Sequence, residues 1–215
     1  MGVFEQLERV RVIPLVVLHK AESADALAEA LVQGGLPVAE ISFSVGDAAQ
    51  TISTMAQRRD LLVGAATVLT PTQVDAAVDA GAQYVASPGN CPEVFDRCLE
   101  RGVPYLGGVA TATEIQRALA MGLTWMRFFP AGSLGGVAGI KMLSKSFPQV
   151  RFIPTGGVGA AHIRDYLSLR SVVAVGGSWM VPGQALARAD FKEVRDRAAH
   201  TVRLAKAAPR PASTS

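Results

Sequence analysis

Trp125-Met126-Arg127-Phe128-Phe129-Pro130-Ala131 is an apolar, strand-like run that holds a single cation and leads into a glycine-rich turn at Gly135-Gly136. Near-continuous apolar runs of this length suit parallel strands covered on both faces. The run predicts a strand over 125–129, and the same pattern recurs at 10–18, 38–42, 62–65, 84–87, 105–109, 151–155 and 172–176. Helical stretches with legible ends lie between them. Thr70-Pro71-Thr72-Gln73 offers a capping threonine, a proline at the first helical position and a glutamine placed to reach back. Asn90, Thr111 and Asp190 each precede a glutamate by three residues (Glu93, Glu114 and Glu193), so each is expected to cap a helix. Gly34, Gly102 and Gly122 are expected to stop helices in the left-handed conformation.

Strand and helix alternating in this way predict an α/β fold, a single (β/α)8 TIM barrel rather than an open sheet. A short amphipathic helix over 3–9 precedes the first strand and is expected to plug the bottom of the barrel. The barrel domain spans 1–208 and its last helix runs from 191 to 207. Residues 209–215 read as a disordered tail.

The chain has 215 residues, 49% hydrophobic and 18% charged, which suits one soluble domain with a substantial core. The net charge of +3 is small and no basic run interleaves with aromatics, which argues against nucleic-acid binding. No apolar stretch approaches the roughly 18–20 residues needed to span a bilayer, and Met1-Gly2-Val3-Phe4-Glu5 lacks the basic start of a signal peptide. Cys91 and Cys98, expected on one face of one helix, suit a reducing cytoplasm. No His, Cys, Asp and Glu spacing fits a metal, and no cofactor is expected.

In such barrels chemistry belongs at the C-terminal ends of the strands. The polar residues there are His19 and Lys20 after strand one, Glu40 in strand two, Thr67 after strand three, and Ser87 with Pro88 after strand four. Thr111 follows strand five, Arg127 lies in strand six, and Thr155 and Ser178 close the last two. Glu40 interrupts an apolar run, and a carboxylate there is costly to bury without a partner. It either moves protons or pairs with Arg127 inside the barrel. Thr155-Gly156-Gly157 and Gly176-Gly177-Ser178 end adjacent strands, where glycines let backbone N–H groups approach an anion. They are expected to bind phosphate or carboxylate.

The ordered set Gly34-Gly35, Glu40, Ala66-Thr67-Val68-Leu69, Ser87-Pro88-Gly89, Phe128-Phe129-Pro130-Ala131, Pro154-Thr155-Gly156-Gly157 and Gly176-Gly177-Ser178-Trp179 resembles the 2-keto-3-deoxy-6-phosphogluconate and 2-keto-4-hydroxyglutarate aldolase family. The resemblance implies a class I aldolase of carbohydrate metabolism, commonly a homotrimer. It would cleave a phosphorylated 2-keto-3-deoxy sugar acid to pyruvate and an aldehyde. It assigns acid–base work to Glu40 and substrate contacts to Thr67, Pro88, Phe129, Thr155, Gly156, Gly157, Gly177 and Ser178. The family's Schiff-base lysine falls on Arg127. Ser44, Ala66 and Gly132 also depart from the family pattern, the first from an arginine that contacts substrate.

A Schiff base needs a neutral amine, whereas an arginine stays protonated at neutral pH and binds carboxylates or phosphates through paired hydrogen bonds. Lys141 and Lys145 lie well into the helix after strand six, and Lys192 and Lys206 on the last helix. Only Lys20 is placed to carry an imine, and a solvated loop lysine is the alternative. Three functions follow: the family's aldol cleavage; an imine-independent isomerase, decarboxylase or lyase using Glu40 and Arg127; or a subunit that binds its keto-acid ligand or assembles without turnover.

Overall fold

The computed structural model describes residues 1–209. In chain order the elements are α1 (Val3–Val10), β1 (Val12–Val16), a 3-10 turn (Ala21–Ser23), α2 (Ala24–Gln33), β2 (Val38–Ser42), α3 (Ala48–Ala56), β3 (Leu62–Ala66), α4 (Pro71–Asp79), β4 (Tyr84–Ala86) and α5 (Pro92–Glu100). There follow β5 (Tyr105–Leu106), β6 (Gly108–Val109), α6 (Ala112–Ala120), β7 (Trp125–Phe128), α7 (Gly136–Ser146), β8 (Arg151–Pro154), a 3-10 turn (Ala160–His162), α8 (Ile163–Leu167), β9 (Val175–Gly177), α9 (Gly183–Ala187) and α10 (Phe191–Ala207).

Every strand pairing is parallel, and the strands form a curled six-stranded sheet in the order β5-β4-β3-β2-β1-β9 and a three-stranded sheet β6-β7-β8. The single strand predicted over 105–109 is therefore two. It breaks at Gly107, where a Cβ would press on Asn90 Oδ1 at 2.8 Å and on the Tyr105 ring at 2.9 Å. Isolated parallel bridges, Phe152 to Val172 and Thr155 to Gly176, run between the β8 and β9 edges of the two sheets.

The first strand starts later than its apolar pattern predicts, because α1 continues to Val10. Arg11, at φ +66°, caps that helix by donating its N–H to Leu7 O at 2.9 Å. Leu7 is buried, and the Phe4 ring stacks on Trp125 with centroids 5.1 Å apart. Trp125 begins β7, so α1 covers the N-terminal end of the strands as its amphipathic pattern predicts. The interior is apolar, with Phe128 and Phe152 meeting edge-to-face at 6.1 Å among buried Val, Ile and Leu.

Several helix ends are those predicted. Thr70 accepts from Gln73 N at 3.2 Å while Gln73 Oε1 accepts from Leu69 N at 2.7 Å. Thr111 and Glu114 form a reciprocal capping box, and Asp190 accepts from Glu193 N at 3.0 Å. Two differ. The cap of α5 is Cys91, because Pro92 takes the first helical position; the Asn90 amide lies instead against Met121 Sδ at 3.3 Å. At the end of α2 the left-handed residue is Gly35 (φ +74°), whereas Gly34 lets α10 approach, since a Cβ there would meet the Ala198 Cβ at 2.6 Å. Burial pushes the Cys98 thiol up to about 12, which leaves it unreactive. From residue 210 the expected tail lies outside the described residues. Among those described, no helix is long and apolar enough to cross a membrane.

Candidate active site

One row of residues runs across the six-stranded sheet: Leu15 beside Glu40, Glu40 beside Gly64, Gly64 beside Tyr84. Residues in such a row point to the same face. Glycine at 64 is what lets this row work. A Cβ there would run into the Tyr84 ring, so its absence lets the ring lie across β3 and carry the hydroxyl to Glu40 Oε1 at 3.0 Å. Tyr84 and Glu40 are both fully buried or nearly so. Burial, and then the negative charge of Glu40, push the Tyr84 phenol well above its ordinary pKa, so it remains a donor.

Arg127 enters from the other sheet, where it neighbours Gly108 and Ile153. Its Nη2 donates to both oxygens of Glu40, at 2.7 and 2.6 Å, and its Nη1 donates to Thr155 Oγ1 at 3.3 Å. The two side chains are 5% and 1% exposed, so this ion pair is dry on both sides. Both charges lose hydration there, and removing either partner strands the other. Nη1 and Nη2 are thus both engaged. Nε is buried with no partner among the described residues. A buried donor left over beside a carboxylate and a phenol is the kind of group an oxyanion satisfies.

Further out at the strand ends, Ser42 Oγ donates to Thr67 Oγ1 at 2.9 Å and contacts Ser44 Oγ at 2.8 Å. Thr67 holds φ +57°, a conformation that costs a threonine about 1–3 kcal/mol and persists where neighbours fix it. Ser87 Oγ donates to Val68 O at 2.6 Å, which ties the turns after β3 and β4 together and leaves Pro88 half-buried beside them. Gly156 and Gly157 hold φ +85° and +72°, and Gly132 N–H donates to Gly156 O at 2.9 Å. The Phe129 ring packs on Gly156, where a Cβ would meet it at 2.8 Å. Gly157 and Ser178 are exposed and Gly177 is buried.

The structure thus joins Glu40, Arg127 and Thr155 in one buried network. Thr67, Pro88, Phe129, Gly156, Gly157, Gly177 and Ser178 stand at the strand ends around it. Thr155 turns inward, 2% exposed, and meets the guanidinium, over Gly176, which leaves it room. Lys20 is exposed after β1, as are Lys141, Lys145, Lys192 and Lys206. Tyr84, Ser42 and Gly64 are members of the site that strand patterning misses. The signal was a row of register-matched residues, Glu40, Gly64 and Tyr84, that only strand pairing reveals.

Residues 3–197 match the model of the KDPG and KHG aldolase family. The 2-dehydro-3-deoxy-phosphogluconate aldolase of Treponema pallidum is 46% identical over 203 residues, covering 94% of this chain and 97% of that protein. Among solved structures, the 2-keto-3-deoxy-6-phosphogluconate aldolase of Zymomonas mobilis ZM4 with 3-phosphoglycerate is 33% identical with a TM-score of 0.89, covering 97% of both chains. The KDPG aldolase of Legionella pneumophila, with pyruvate captured at low pH as a covalent carbinolamine, is 36% identical with a TM-score of 0.86, covering 89% of this chain and 94% of that one.

Proposed function

This chain belongs to the KDPG and KHG aldolase family, and from that premise we propose that it cleaves a phosphorylated 2-keto-3-deoxy sugar acid to pyruvate and an aldehyde without an imine. The observation that carries the mechanism is the buried pair of Glu40 with Arg127, on a chain whose lysines are all exposed. In the proposed cleavage Glu40 removes the C4 hydroxyl proton. The C3–C4 bond then breaks, its electron pair passes to the C2 carbonyl as an enolate oxygen, and the aldehyde leaves. The proton held by Glu40 is delivered to C3, and the carbonyl re-forms as pyruvate. The unpartnered Nε–H of Arg127 offers the enolate oxygen a cation in a dry site, where such stabilisation is strongest. Tyr84 keeps Glu40 in place while the substrate competes for the guanidinium.

Around this centre Thr67, Pro88 and Phe129 are assigned to the substrate body, with Thr155 holding Arg127. Gly156, Gly157, Gly177 and Ser178 are assigned to its phosphate, supported by the 3-phosphoglycerate bound to the Zymomonas relative. Closure of the two sheets into a full eightfold barrel is supported by the bridges of Phe152 to Val172 and of Thr155 to Gly176. A homotrimer follows from the family resemblance, and a cytoplasmic location is supported by the two unpaired thiols.

Release of pyruvate from 2-keto-3-deoxy-6-phosphogluconate, followed through lactate dehydrogenase, tests the proposal. Turnover is expected, and Glu40→Gln should lower kcat by about 10²–10⁴ as loss of a general acid–base does. A panel of 2-keto-4-hydroxy acids, with and without phosphate, that yields no pyruvate would sink it.

A further inference from the structure

A cavity of about 590 Å³ opens at the N-terminal ends of the strands, opposite the end that carries Thr67 and Ser178. Arg11 organises its wall. The guanidinium is buried and donates to the carbonyls of Ala205, Ala208 and Pro209 at 2.7, 3.0 and 2.7 Å, which pins the end of α10 against the start of β1. Arg11 is thereby engaged, and the charge facing the cavity comes from other residues.

Those residues are Arg9, Arg59 and Lys206, all exposed and all lining the same cavity. Among the described residues none of them has a carboxylate within 4.0 Å. The acid on the wall, Asp60, accepts two hydrogen bonds of 3.1 Å from Arg58, which hold its carboxyl below the ordinary range. Three uncompensated cations around one concavity repel one another and focus a positive field into it. Arg9 and Lys206 stand in the last turns of α1 and α10, where a cation also suits the helix dipole. Arg59 lies in the turn before β3 and has no such duty, which makes it the diagnostic residue.

Beside the cations the wall is apolar at Pro37, Leu61 and Leu62. The Gln83 Oε1 accepts from Val63 N at 3.0 Å, which leaves its amide N–H groups to donate. We propose that this cavity is a second anion site, for an organic phosphate. Arg9, Arg59 and Lys206 meet the phosphate of a monoester, and its carbon body lies on Pro37 and Leu61. The site stands apart from the aldolase centre and does not depend on its activity.

Phenyl phosphate is a suitable probe. A crystal structure of the full chain soaked in it should show the ligand against Arg59. Calorimetric titration should show binding that weakens about tenfold or more in Arg59→Ala/Lys206→Ala. That variant should keep the wild-type kcat and KM for pyruvate release, and its circular dichroism melt should match the wild type. Arg59→Lys should bind within about threefold of wild type, as a charge-led site allows. Ligand seen only at Gly156 and Gly157, or binding unchanged in the double variant, overturns the proposal. Inorganic phosphate bound as tightly as phenyl phosphate overturns the assignment to an organic phosphate.

Discussion

Glu40 receives three hydrogen bonds inside the fold, two from Arg127 Nη2 and one from the Tyr84 hydroxyl. Such a carboxylate depends on its donors, so the partners should not be separable at low cost. Arg127→Met alone is expected to destabilise the chain by about 3–5 kcal/mol in urea titration, because Glu40 is left buried and unpaired. Glu40→Met/Arg127→Met should recover most of that loss. A double variant as unstable as the sum of the singles would show that the two residues do not act as a pair. Tyr84→Phe removes a donor to a charged acceptor and should cost about 1.5–3 kcal/mol. It should also change the pH profile of turnover, which a merely structural role for the phenol would leave alone. Glu40 and Arg127 were legible in the sequence because each is a charge inside an apolar run, and their pairing is one of the two roles the residues leave open. Tyr84 was not legible, because a tyrosine at the start of an apolar strand gives no sign of where its hydroxyl points.

At the scale of elements, β2, β3 and β4 act as a unit through one missing side chain. Gly64→Ala would drive a methyl into the Tyr84 ring, and overpacking of this kind costs about 1–3 kcal/mol. The same change should produce the pH-profile shift of Tyr84→Phe, since it lifts the hydroxyl away from Glu40. A variant that loses stability but keeps the wild-type profile would separate the packing from the hydrogen bond. The core of each element was readable in advance, because apolar runs and capping residues are local signals. Boundaries that depend on a distant partner were not. Gly34 looked like a helix stop, yet it packs on α10, more than 160 residues further along the chain. Gly107 divides a predicted strand because of what surrounds it: Asn90 lies outside the run, and where the Tyr105 ring lies cannot be read from within it.

For the whole molecule, the tyrosines give a pH dependence with a definite sign. Tyr84, Tyr105 and Tyr166, the three in the chain, all have phenols raised above 10.0, in each case first by burial. The folded state therefore holds protons that the unfolded chain gives up from about pH 10. Their contribution to stability is whole below that pH and is lost as the pH rises toward the folded values. Urea midpoints should be level with respect to these groups below about pH 10 and fall above it. In a folded sample the phenolate absorbance of Tyr84 should emerge only with unfolding. A full phenolate signal from folded protein near pH 10 would contradict the burial that holds Tyr84 against Glu40. The central claim concerns chemistry: a family fold that performs aldol cleavage with a guanidinium where an imine would stand. Intact-mass and peptide mass spectrometry after incubation with pyruvate and borohydride, on enzyme shown to be turning over, tests it most directly. The account predicts unmodified protein alongside steady pyruvate release; a reduced pyruvyl adduct on Lys20, or on any other lysine, would contradict it.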